Sequence, residues 1–173
     1  MDLPDELGFE KPSIEEKYHR AVTGYMKRLS LLYEAVSEKY GEDGLELIRG
    51  VSREFGTRIG ANVRKKGDLK GVTQVGKYLL KVFDMVSEDC EVKEFADDRL
   101  VITVSRCPYG FSRDEVCRAH TCMEQALVAV LDDRLEYRIG RSIPQGDPFC
   151  EHILCDKSRP AVDDCATGDP APR

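Results

Sequence analysis

Residues 99–115 read RLVITVSRCPYGFSRDE, and this stretch decides the fold class. Leu100, Ile102 and Val104 alternate with Val101, Thr103 and Ser105, which is the two-residue period of a β-strand. Cys107-Pro108-Tyr109-Gly110 ends the strand, because proline removes a ladder donor and glycine accepts a turn. Ser112-Arg113-Asp114-Glu115 then has the form of a capping box and predicts a helix through about Leu131. Before this stretch, Cys90 to Ala96 reads as a partner strand, joined to Arg99–Arg106 by a turn at Asp97-Asp98. After it, Leu135 to Ile143 and Phe149 to Asp156 read as two further strands. Pro144-Gln145-Gly146-Asp147-Pro148 turns between them.

The first half is helical in pattern. Ser13 and Glu16 make another capping box, followed by Ile14, Tyr18, Ala21, Tyr25, Leu29, Leu32 and Val36 at helical spacing. Gly41 is the expected stop. A second helix is expected over about Asp43 to Lys65, with Leu45, Ile48, Val51, Phe55, Ile59 and Val63 on its core face. A third is expected over Val72 to Val86, through Val75, Leu79, Val82 and Phe83. The predicted class is α+β: three N-terminal helices layered on a twisted antiparallel sheet of about four strands, with one helix between the hairpins. The expected organisation is a flexible N-terminus (1–12), one domain (13–156) and a loose tail (157–173). Within the domain, 13–40 is an N-terminal helix and 41–156 the core.

The net charge of −6 argues against a nonspecific grip on nucleic acid phosphates. No apolar run approaches the roughly 18 residues of a membrane span, and the acidic start does not resemble a signal peptide. A cytoplasmic location is therefore expected. All seven cysteines lie from Cys90 onward, and in a reducing compartment they point to metal or redox chemistry. Cys90 reads as a small buried hydrophobe.

The remaining candidates are Cys107, Cys117, His120, Cys122, Cys150, His152 and Cys155. Thiolates with imidazole suit zinc, or iron in an iron–sulfur cluster. On a regular helix Cys117 and His120 lie about 60° apart, whereas Cys117 and Cys122 lie about 140° apart. Cys150 and His152 share one face of a strand and Cys155 takes the other. Two ligand sets therefore compete: Cys107-Cys117-Cys122-Cys150, and a set in which His120 or His152 replaces one thiolate. Inert core cysteines, or a redox thiol at Cys117 near a helix N-terminus, are the competing readings.

Three motifs also carry a family likeness. Arg106-Cys107-Pro108-Tyr109, then Cys117 and Cys122 on a helix, then Gly146-Asp147-Pro148-Phe149-Cys150-Glu151-His152 resemble the L-2-amino-thiazoline-4-carboxylic acid hydrolase-like family. The likeness extends back through Ile48-Arg49-Gly50 to Phe55-Gly56 and covers residues 40–155. That family looks related to the 4-vinyl reductase domain, a small-molecule-binding module. The module shares its fold with transport-particle subunits and haem-nitric-oxide-binding domains. The resemblance implies a helical layer on an antiparallel sheet, and it supports Cys122 as the fourth metal ligand.

Two functions follow as expectations. The first is a metal-assisted hydrolase or lyase of a small sulfur- or nitrogen-containing compound. In it, zinc activates water, His120, Glu151 and His152 move protons, and Tyr109 and Arg141 bind substrate. A solvated face is the plain alternative for Glu151 and Arg141. The second is a noncatalytic ligand- or redox-sensing module with a closed zinc or iron–sulfur site. Both take a small-molecule partner. Tyr18, Tyr25 and Tyr33 leave room for a homodimer.

Overall fold

The Ser13 side chain accepts a hydrogen bond from the Glu16 amide at 3.0 Å, and the helix it caps is the longest element of the chain. The computed structural model describes residues 11–86 and 89–158. The N-terminus and tail expected to be loose, with Cys165, lie almost wholly outside these residues. Helix α1 (Ile14–Arg64) is interrupted only at Gly41, whose φ of 57° and ψ of −130° break the helical path. Only glycine takes that backbone conformation without strain, so the stop expected there is a kink between two helical halves. Helix α2 (Gly71–Val86) follows, then strands β1 (Cys90–Phe95) and β2 (Arg99–Val104), and helix α3 (Asp114–Leu131). Strand β3 (Leu135–Ile139) and strand β4 (Cys150–Asp156) complete the fold, with a single 3₁₀ turn at Ile143–Gln145 between them.

The architecture is α+β. The four strands form one antiparallel sheet in the order β1-β2-β4-β3. Leu100 pairs with Leu154, Ile102 with His152 and Val104 with Cys150, while Tyr137 and Ile139 stand opposite Leu154 and His152. These residues share one sheet face, because side chains alternate along a strand. Val72, Val75 and Leu79 of α2 and Leu127, Val128 and Leu131 of α3 pack on that face as one cluster. A second cluster joins Tyr33, Leu45 and Ile48 of α1 to Phe111, Val116, Cys117 and Ala119. Helix α3 belongs to both.

The face that α1 turns inward differs from the expected one. Ile14, Tyr18, Tyr25, Leu32, Val51 and Phe55 are exposed; the buried residues are Ser30, Tyr33, Ser37, Gly44, Leu45, Ile48, Ser52, Gly56 and Gly60. Small residues occupy most of the contact because the backbones of α1 and α3 come close. A Cβ placed on Gly56 would overlap the Met123 carbonyl oxygen, and one on Gly60 would lie 2.8 Å from Val130 Cβ. Tyr33, assigned provisionally to a partner surface, instead stacks on Phe111 with ring centroids 6.5 Å apart.

The second capping box is also resolved differently. Helix α3 begins at Asp114 without a side-chain cap, because the Ser112 amide and hydroxyl both donate to Glu34 of α1, at 2.7 and 2.8 Å. Asp114 instead accepts from Ser142 Oγ, Gln145 Nε2 and Arg118 Nε, and so ties the β3–β4 turn to the start of α3. At the other end the buried Asp132 carboxylate accepts from the Gly71 amide and from Arg134, joining α2 to α3.

The close α1–α3 contact is testable. Gly56→Ala is expected to destabilise the fold by about 2 kcal/mol or more, through overpacking against a carbonyl. Gly50→Ala, on the same helix with open space around it, is expected to stabilise by up to about 1 kcal/mol. Denaturant unfolding of the two variants reads both signs.

Candidate functional site

Between the two clusters the side chains do not close. A cavity of about 180 Å³ remains, bounded by α2, α3, the Cys107–Phe111 segment and one face of the sheet. Its apolar wall includes Leu79, Val82, Phe83, Val104, Leu127 and Ile139. No Lys or Arg lines it among the described residues. Helix α3 contributes Cys117, His120, Thr121, Glu124 and Leu127, at intervals of three and four residues that place them along one stripe.

His120 is 6 % exposed and ringed by aromatics, with centroids 4.3 Å from Tyr109, 5.3 Å from Phe111 and 5.9 Å from Tyr33. Neither ring nitrogen has a hydrogen-bond partner among the described residues. Burial pushes its pKa down to about 4, so it is neutral at pH 7. One turn further on, Glu124 Oε2 is shielded from solvent and also unpartnered among the described residues. Burial pushes that carboxyl up to about 8, so it is mostly protonated at pH 7. His152 is satisfied differently: its Nδ1 lies 2.6 Å from the Tyr137 hydroxyl, and its ring meets the edge of Phe83. Burial lowers its pKa to about 4 as well.

Of the candidates read from sequence, Cys107, Tyr109, Cys117, His120, Cys150 and His152 all line this cavity. The others do not. Cys122 points toward the α1 side, where Arg53 and Arg49 influence it, and its thiol donates to the Arg118 carbonyl at 3.8 Å. Glu151 lies on the other face of β4, beside Gly140. Arg141 is exposed and sits over the Phe149 ring, 5.3 Å from its centre. Cys155 is buried on the sheet face away from the cavity. Glu124 was missed by sequence reading, although it stands four residues from His120 and seven from Cys117 on a predicted helix. That spacing was the available signal.

The expected metal centre does not form. Among the described residues, no three His, Cys, Asp or Glu side chains stand together so as to hold one ion. The set Cys107-Cys117-Cys122-Cys150 fails because the helix turns Cys122 away from the other three, and no histidine completes a set in its place. Burial, with lesser contributions from Cys107 and Cys150, pushes the Cys117 thiol up to about 12, and burial also raises Cys150. These two thiols are neutral at pH 7 and form part of an apolar wall.

Neither a protein-family model nor a curated protein matches the chain. Among solved structures it is similar to a trafficking protein particle complex subunit 3 from Naegleria fowleri, covalently bound to palmitic acid. The two share 12 % identity at a TM-score of 0.56, over 77 % of this chain and 95 % of that one. At that identity the likeness is one of fold. The absence, among the described residues, of a donor set able to hold a metal overturns both metal readings: the metal-assisted hydrolase or lyase, and the zinc or iron–sulfur sensing module. No helix among the described residues is long and apolar enough to cross a membrane.

The three buried titratable groups give stability a defined pH profile. From about pH 4 to 6.5 the unfolded chain protonates two histidines that the fold keeps neutral, so stability rises with pH. Glu124 opposes this. Its unfolded carboxyl ionises near 4.5 and its folded one near 8, so its contribution falls with rising pH between those values. Two histidines outweigh one glutamate below 6.5, and the glutamate acts alone above it. Thermal unfolding is therefore expected to show a maximum near pH 6.5 and a decline toward 8, of up to about 1.4 kcal/mol per pH unit. Glu124→Gln is expected to remove the decline.

Proposed function

We propose that this chain is a binding module for a small apolar ligand, held between α2, α3 and the sheet. The observation that carries the proposal is the cavity itself, walled mainly by aliphatic, aromatic and thiol groups. An apolar cavity of roughly 150 Å³ takes a benzene-sized molecule, so about 180 Å³ holds about seven heavy atoms, and the rest of a larger ligand must extend beyond it. The fold neighbour's covalently bound palmitic acid supports a scaffold that accommodates apolar chains.

A longer chain has a path. The cavity adjoins a groove of about 760 Å³ on the protein surface, and Val86, Cys107 and Pro108 line both spaces. The groove runs along the start of α1 past Tyr18, Val22 and Met26. Kinship with the hydrolase-like family, drawn from the Arg106–Tyr109 and Gly146–His152 motifs, is proposed for the pocket-bearing scaffold and not for an activity. The neighbour is a subunit of a complex, and the proposal includes a protein partner, a second copy being the simplest, through which ligand binding is read out.

The test is saturable binding of a small neutral apolar dye, naphthalene, followed by its fluorescence. One site per chain is expected, displaced by medium-length alkyl compounds. Val82→Phe fills the cavity from α2 and is expected to weaken binding by about tenfold or more, ~1.4 kcal/mol, with the circular dichroism spectrum unchanged. Absence of saturable binding by any apolar probe overturns the proposal.

A further inference from the structure

A purely apolar ligand would leave the cavity's two unpartnered polar side chains as they are. His120 and Glu124 are one helical turn apart, with Cβ atoms about 5–6 Å from each other on such a pair. Both line the same cavity. Neither His120 ring nitrogen, and not Glu124 Oε2, meets a donor or acceptor among the described residues. Two neighbouring polar groups are already engaged: the Thr121 hydroxyl donates to the Cys117 carbonyl at 2.9 Å, and His152 Nδ1 pairs with the Tyr137 hydroxyl. Buried polar groups without partners are expensive, so folds seldom retain two of them side by side without use.

The geometry points to a ligand whose apolar body carries a neutral group that both donates and accepts hydrogen bonds, a carboxamide or an undissociated carboxylic acid, received by His120 and Glu124. This deepens the reading of the cavity as a ligand site and rests on it. A neutral imidazole offers one N–H donor and one acceptor, and a protonated carboxyl likewise offers one O–H donor and a carbonyl acceptor. The His120 ring thus presents one donor and one acceptor to the cavity, and Glu124 Oε2 one further donor or acceptor. A carboxamide or a carboxylic acid matches that pattern from the ligand side. An ionised carboxylate does not, because the lining residues include no cation and burying an uncompensated charge is costly. The hydrocarbon part fits the rest of the wall: Leu79, Val82, Phe83 and Leu127.

The test uses the full chain with the dye in place, displaced by a matched series: octanamide, octanoic acid, octylamine and decane. Octanamide is expected to displace about tenfold or more tightly than decane, because a site that offers buried donors and acceptors discriminates against ligands that leave them unpaired. Octanoic acid is expected to approach octanamide at mildly acid pH and to weaken as it ionises. Glu124→Met and His120→Phe are expected to bring the octanamide-to-decane ratio close to one while decane still binds, which also shows that the variants are folded. Glu124→Gln keeps a donor and an acceptor and is expected to retain the preference. Equal affinity of octanamide and decane in the unmodified chain overturns the inference while leaving the apolar site standing. So does a preference that survives both Glu124→Met and His120→Phe, or a stronger preference for octylamine, which marks a cation site. Failure of the dye and of every displacer to bind overturns the site itself.

Discussion

The approach of α1 to α3 is set by backbone contact at Gly56 and Gly60. With no side chain between them, the helices come close enough that Met123 and Leu127 main-chain atoms touch α1 directly. This contact covers the outer face of α3, and its inner face must then meet α2 and the sheet. A helix buried on both sides is held in position by its neighbours and not by its own amphipathicity. That allows its inner stripe to carry Cys117, His120, Thr121 and Glu124 where leucines would otherwise be expected. The core can close around such a stripe only in part, and what remains is the cavity.

The composition of that stripe explains why thiols and imidazoles that look like metal ligands in the sequence form no metal site. Metal coordination needs convergence of several donors on one point. Helix α3 spreads its cysteines instead: Cys117 faces the cavity and Cys122, five residues on, faces α1. With burial holding the Cys117 and Cys150 thiols protonated, their contribution is small, polarisable apolar volume. His120 and Glu124 are neutral for the same reason, so the cavity has polarity without charge.

How much of this was legible in the sequence depends on the kind of signal. The β1–β2 and β3–β4 hairpins follow from period-two alternation and turn residues, and the span of α3 from the turn before it and apolar residues at helical spacing; these signals are local and survive packing. The inward face of α1 was misread because burial there follows small size, at Ser30, Ser37, Ser52, Gly56 and Gly60, and hydrophobic periodicity does not register small polar residues. Val51 and Phe55 have the spacing of a core face and lie in solvent. The Ser112 cap was misread because a long-range acceptor, Glu34, competes successfully for both the amide and the hydroxyl. In the site, Cys107, Tyr109, Cys117, His120, Cys150 and His152 were read together from the sequence and all line the cavity. Their chemistry was assigned to a metal because residue type was weighed before convergence was known. A glutamate on a helix was passed over because it is ordinarily solvated.

The placement of Cys107, Val86 and Pro108 adds a last constraint. These residues line both the cavity and the outer groove, so a ligand that spans the two passes beside them. Val86 ends α2, and Cys107-Pro108 opens the irregular segment between β2 and α3; neither sits in the interior of a regular element. The Cys107–Gly110 turn closes on its own backbone bond, from the Gly110 amide to the Cys107 carbonyl at 3.1 Å. Movement there costs no sheet pairing and no helix turn. By contrast, Leu79 and Leu127 of the apolar wall lie inside α2 and α3, helices joined by the Asp132 bridge. The residues shared between cavity and groove are thus set by the ends of elements, and the rest of that wall by their interiors.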